Sequence, residues 1–300
     1  MKKIKIALYA LLTLTMVNCS DDFLDKTQPD TINTGNYPKT GEELITLVNG
    51  AYQPLQRPKL YNMRMWTSDN QGVLDLWRGP WPGILSSNII IKTAPTLNID
   101  DTLRNRSLGE AYFLRAHYYF ILVRFFGDVP LVTEPQDVNG DLYPARAPKT
   151  EIYKLIISDL EKAIQFLPTK QQYGDSDKGR ASKGAAIGAL AKVYLTLGQW
   201  QKVVDLTTQL EGMGYALNTD YSDNFNINKE NSVESLFEVQ YASDGGYDFW
   251  SNENQASWTS TFMGPRGANF VGGGWGWNQP TQEFVNSYEA GDKRKEKTEN

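Results

Sequence analysis

The 300-residue chain contains one cysteine, Cys19, and one histidine, His117. A single thiol excludes an internal disulfide framework, and the two residues together cannot form a Cys/His zinc site. Long apolar runs are missing too. The near-apolar stretch from Ile6 to Val17 has twelve residues, too few at 1.5 Å per residue to cross a hydrocarbon core of roughly 30 Å. A basic excess is also lacking. Removing residues 1–18 takes three lysines and no acid, which lowers the 30 basic residues to 27 against 35 acidic ones, a net charge of −8. That balance argues against nucleic acid as a partner. No phosphate-binding loop or nucleophile elbow is present.

What stands at the N-terminus is polarised. Lys2, Lys3 and Lys5 precede the short apolar run, the layout of a secretory leader, and Cys19 falls where cleavage would occur. Met16-Val17-Asn18-Cys19 reads as a lipobox, with Asn18 where a small residue is commoner. Lipidation of Cys19 is expected, because two or three acyl chains at about 0.8 kcal/mol per CH₂ give stable anchoring. The alternative is a stray buried thiol, against which the following Ser20, Asp21 and Asp22 argue. Residues 1–18 are therefore assigned as signal peptide and 19–39, with Pro29, Gly35 and Pro38, as a lipidated tether.

Helical pattern starts near Thr40. Leu44, Leu47, Val48, Ala51 and Leu55 share one stripe, and Thr40 with Glu43 has the capping-box spacing. From Leu60 to Gly83 the period is lost, and a weaker helix "ILSSNIIIK" follows. Residues 107–126 are apolar nearly all round, which predicts a helix buried on several sides and stopped at Gly127. Residues 150–167 are amphipathic and end before Pro168. The run from Arg180 to Gly214 has small residues for close helix contact and a break at Gly198. Aligning Gly127 with Gly198 places Ala116, Tyr119, Leu122 and Phe126 over Ile187, Leu190, Val193 and Leu197. The 71-residue offset is about twice the 34-residue tetratricopeptide period, so stacked helical hairpins are expected over residues 40–214.

Residues 215–300 lose the helical signal apart from a strand-like "SLFEVQY" and a final amphipathic start at "TQEFV". Seven of the eight tryptophans fall in two segments read as loops; only Trp200 lies in helix pattern. Sugars offer an apolar C–H face and a hydroxyl edge, met by flat rings and by side chains that donate and accept together. Trp66, Asp69, Asn70, Trp77, Arg78 and Trp81 supply that mixture within 16 positions, and Trp250, Trp258, Trp275, Trp277 and Asn278 supply it again. For each single tryptophan, core packing is the competing reading. His117, set in the buried helix, reads as core rather than ligand. The stretches 175–179 and 224–230 are oxygen-rich like calcium loops but lack the EF-hand spacing, so no metal is assigned and calcium stays a minor alternative.

Three ordered stretches, "CSDDFLDKTQPD", "GEAYFLRAHYYFILVRFFGDVPLV" and "GWGWNQPTQEFVNSYEAGDKR", resemble the SusD/RagB family of outer-membrane nutrient-binding lipoproteins. The resemblance implies a mostly α fold of tetratricopeptide-like hairpins with long irregular, aromatic-rich loops. It implies a surface-exposed, outer-membrane lipoprotein that binds oligosaccharide and delivers it to a SusC-like TonB-dependent transporter, without enzymatic activity. By family position Trp81 and Asn88 match a "W…I…N" motif near the binding region. Alternatives are a peptide ligand, as in the RagB branch, a scaffold that docks the transporter without touching sugar, or a surface glycan-cleaving enzyme. Family members usually continue well past "YEAGDKR", so residues 215–300 are expected to be the start of an incomplete loop-rich domain.

Overall fold

A computed structural model describes residues 37–56, 71–136, 141–242, 263–264, 266, 274–276 and 279–295. Residues 1–39 and 40–300 are separate compact units, and every helix among the described residues belongs to the second.

Helix α1 (Gly41–Tyr52) begins on the predicted capping box, with Glu43 N–H donating to Thr40 Oγ1 and Thr40 N–H to Glu43 Oε2, both at 3.2 Å. Its stripe of Leu44, Val48 and Ala51 continues through a 3₁₀ turn to Leu55, and all four are buried. Helix α2 (Gln71–Arg78) and the first turn of α3 (Pro80–Thr93) occupy ground where loss of periodicity predicts irregular chain, and the rest of α3 is the helix expected at "ILSSNIIIK". The reason lies in "GPWPG". Pro80 and Pro82 sit in the first turn of α3, where the backbone N–H groups have no helical partner and proline costs nothing. Punctuation that reads as loop is a helix start.

Helix α4 (Asp101–Phe126) is capped by Asp100, whose carboxylate accepts from Thr102 and Leu103 N–H at 2.8 and 3.2 Å. It is the central rod, packed by α1 and α3 and by α5 (Lys149–Phe166), with Phe113, Leu114, Tyr118, Tyr119 and Leu122 out of water. Helix α6 (Lys183–Thr196) packs on α5, and α7 (Trp200–Glu211) packs on α6 after a three-residue break. The internal alignment holds in three dimensions. Ala116, Tyr119 and Leu122 are buried like their partners Ile187, Leu190 and Val193, and Gly127 and Gly198 take the same left-handed φ of 69° and 70°. Only glycine adopts that conformation freely, so it closes both helices.

Strands are confined, among the described residues, to β1 (Val129–Pro130) and β2 (Arg146–Ala147), antiparallel with Val129 opposite Ala147. The strand-like run at 235–241 has no strand partner there and runs as irregular chain. The last helix, α8 (Gln282–Asn286), is capped by Thr281 and ends after five residues. No described helix is long and apolar enough to cross a membrane.

Candidate functional site

Four sequence-predicted site residues lie in α2 and α3. Trp77 and Trp81 are brought together edge to face with centroids 5.6 Å apart. Both are half-buried on helices rather than in a loop. Trp77 packs on Phe126 at 5.1 Å and Trp81 on Tyr119 at 6.3 Å. The expectation that these two lie on loops is therefore corrected; their rings wedge α2 and α3 onto α4. Trp200, which reads as helical, does start α7 but is 65% exposed. Arg78, at the end of α2, is exposed.

Asn88 is only 1% exposed, and its amide is used within the fold. It donates to Val132 O at 3.0 Å and Glu134 O at 3.3 Å, and accepts from Arg115 Nη1 at 2.8 Å. Arg115 holds Asp159 of α5 in a two-point bond, Nε and Nη2 each at 2.8 Å. Burial raises the Asp159 pKa, opposed by its hydrogen bonds from Arg115. This knot ties α3, α4 and α5 to the chain after β1, and the Asn88 amide is used inside it.

A second buried knot surrounds Glu110 of α4, 1% exposed. Arg180 Nη1 donates to it at 3.0 Å, Arg180 Nε to Asp177 at 2.8 Å and Arg180 Nη2 to Asn49 at 2.8 Å. Asp177 also accepts from Arg106 at 2.8 Å. Both carboxylates of the oxygen-rich stretch 175–179 are used in ion pairs, Asp177 with Arg106 and Arg180 and Asp175 with Lys178. Burial raises the pKa of Glu110, and the nearby Arg180 opposes it.

Beside this knot opens a cavity of about 320 Å³ between the end of α1 and residues 237–240. Tyr52 and Phe237 line it, with Asn49, Gln53, Gln56 and Gln240. Sequence reasoning passed over these residues. The available signal was the spacing of Asn49, Tyr52, Gln53 and Gln56 at i, i+3, i+4 and i+7, which puts a polar-aromatic stripe beside the apolar one.

Trp275 is half-buried next to Gly276, whose N–H donates to Gly264 O at 2.9 Å. Cys19, Trp66, Asp69, Asn70, Trp250, Trp258, Trp277 and Asn278 lie outside the described residues.

"SusD-like protein P2" of Formosa agariphila is 27% identical over 98% of this chain, which covers 64% of that relative. The structure of "Surface glycan-binding protein A" from Bacteroides fluxus superposes with a TM-score of 0.74 at 23% identity, over 86% of this chain and 64% of the other. A "Laminarin binding SusD-like protein" gives 0.73 at 24% identity, over 83% and 64%. These likenesses show a shared fold, mostly α and built of stacked tetratricopeptide-like hairpins. The family model described as "SusD-like_3: Starch-binding associating with outer membrane" matches residues 20–195. With more than half its length covered by that match, the chain belongs to the SusD-like family.

Proposed function

We propose that the protein binds oligosaccharides at the cell surface and passes them to a SusC-like TonB-dependent transporter in the outer membrane. Membership of a starch-binding, outer-membrane-associating family over residues 20–195 carries the reading. The laminarin-binding and surface glycan-binding proteins with the same helical stack support it. Anchoring is proposed through lipid on Cys19, with residues 19–39 as tether. Trp66, Trp250, Trp258, Trp275 and Trp277 are the proposed stacking platforms, with Asp69, Asn70 and Asn278 as hydrogen-bonding partners. Trp77 and Trp81 form the rigid wall behind, with Arg78 at its exposed edge. Sugar is captured and released unchanged, by stacking and hydrogen bonds alone.

The test is a titration of the chain from Ser20 onward with starch-derived and laminarin-derived oligosaccharides, followed by tryptophan emission. A saturable shift with one glycan class, lost in Trp66→Ala or Trp275→Ala, is expected. A folded protein silent to the whole panel, or one that releases reducing ends from polysaccharide, would sink the proposal.

A further inference from the structure

We infer that the cavity at the end of α1 is a separate subsite for one neutral sugar ring. The inference rests on the oligosaccharide-binding reading and names a site for it away from the tryptophans.

Size comes first. Small-molecule sites run from roughly 300 to 1,000 Å³, and about 320 Å³ is the bottom of that range, enough for a ring and too little for a chain. The wall is aromatic. Tyr52 and Phe237 stand 6.5 Å apart at 35°, and Phe237 is backed edge to face by Phe113 at 5.1 Å. The Tyr52 hydroxyl is already used inside the fold, accepting Ala181 N–H at 2.9 Å and hydrogen-bonding Glu110. What Tyr52 offers the cavity is therefore its ring, the surface a sugar C–H face stacks on.

The rim is made of amides. Asn49, Gln53 and Gln56 project from one stripe, and Gln240 faces them from the irregular segment. Each amide both donates and accepts, as a hydroxyl does. Part of this rim is set in advance. Gln56 Nε2 donates to Gln240 O at 2.8 Å, and the Gln240 amide exchanges bonds with the Asn231 amide at 3.0 and 3.3 Å. Gly179 permits the closure: at φ +88° it has no Cβ, and one would stand 2.4 Å from Gln240 Cδ.

Charge fixes the ligand class. Arg180 is taken by Glu110 and Asp177, and Lys178 by Asp175 at 2.6 Å. The Glu238 carboxylate accepts Asn231 N–H at 2.9 Å. With Arg106 on Asp177 and Lys170 facing Glu238, four cations stand against four carboxylates, so the surroundings are balanced in charge and a neutral polyol meets amides and rings.

The experiment uses the chain from Ser20 onward with maltohexaose and laminarihexaose as probes. Affinity is measured by calorimetry and local protection by hydrogen–deuterium exchange. Bound glycan is expected to protect residues 49–56 and 237–240. Gln53→Trp, which fills the mouth, is expected to weaken binding about tenfold, and Gln56→Ala about threefold. If Gln53→Trp does not fold, Gln56→Ala and the protection pattern decide. Glycan binding that ignores both variants and protects neither segment overturns the subsite and leaves the oligosaccharide reading standing. No glycan binding at all overturns both, and protection of these segments by a peptide mixture instead of glycan overturns the sugar assignment.

Discussion

The helical stack from α1 to α7 and the segment 215–242 draped on it are held by different physics. In the stack, helices carry their own hydrogen bonds and meet through apolar stripes and two buried ionic knots. The segment has a 3₁₀ turn at Tyr221–Phe225 and no longer helix or strand. It hangs on the stack by single side chains set where the stack has no Cβ. Tyr215 lies where a Cβ on Gly184 would come within 2.2 Å of its hydroxyl, and Leu236 within 2.6 Å of one on Gly188. Phe237 reaches Tyr52 and Phe113, and Lys170 donates to Ser232 O and Ser235 O at 2.6 and 3.0 Å. Much of its apolar surface stays in water, with Leu217, Phe225 and Ile227 at least 70% exposed. A fold of this kind has a cooperative frame and a detachable cover. The cavity lies on the seam.

The strongest test of that contrast strikes the frame. In Asp159→Ala, Arg115 keeps its bonds to Asn88 and Thr133 O but loses its counter-charge in a site only 4% exposed. Breaking one partner of a buried pair costs about 3–5 kcal/mol. Denaturant titration is expected to show one shifted transition with α3, α4 and α5 weakened together. Loss confined to one helix would break the picture of a single frame.

Acid separates the two regions next. The His117 ring packs between Phe113 and Tyr118, and burial, with Lys192 adding repulsion, lowers its pKa to about 4. A lowered pKa means the unfolded chain binds the proton first. Stability from neutral His117 is complete above about 6.5 and is lost as pH falls toward about 4, on the order of 2–3 kcal/mol. In the cover, Glu234 accepts Asn218 N–H, and that bond lowers its pKa below the usual glutamate value. Its contribution is present above the unfolded glutamate range and goes only as pH falls through its lowered value. Exchange protection should thus weaken in α4 between pH 6.5 and 4 before it weakens at 216–234. His117→Phe should flatten the first change and leave the second.

The frame was more legible in the sequence than the cover, and particular residues say why. Leu44, Val48 and Ala51, or Gly127 against Gly198, announce their roles through local spacing, because a helix sorts faces by period. Trp77 and Trp81 do not. Their partners Phe126 and Tyr119 come from a distant helix, so no window of sequence tells a core wedge from a ligand platform. The Pro80-Trp81-Pro82 start misled for a related reason: proline signals a loop or a first helical turn equally well until the register is known. Phe237 to Gln240 has a strand's alternation without a strand's partner. It serves the cavity, and a site on a seam is written in two segments that are uninformative singly.

Removing an anchor tests the cover. Phe237→Ala deletes the ring between Tyr52 and Phe113, and for a half-buried phenylalanine about 2 kcal/mol is expected. Exchange protection should fall across 215–240 and stay unchanged in α4 and α5. The cavity wall goes with the ring, so glycan protection of 49–56 should disappear as well.

The mildest change, Lys170→Met, gives the sharpest reading of how the cover is held. Methionine keeps the long apolar stem and removes only the ammonium that bridges Ser232 O and Ser235 O. Those carbonyls lie near water, which replaces part of the lost bonding, so the expected cost is about 1 kcal/mol. Loss of protection should centre on 230–236. If it spreads instead through α5 and α6, the segment is built into the frame, and the cavity walls move as one body. If it stays local, the two anchors act independently, and the chain can loosen at Ser232 and Ser235 while Phe237 still closes the cavity.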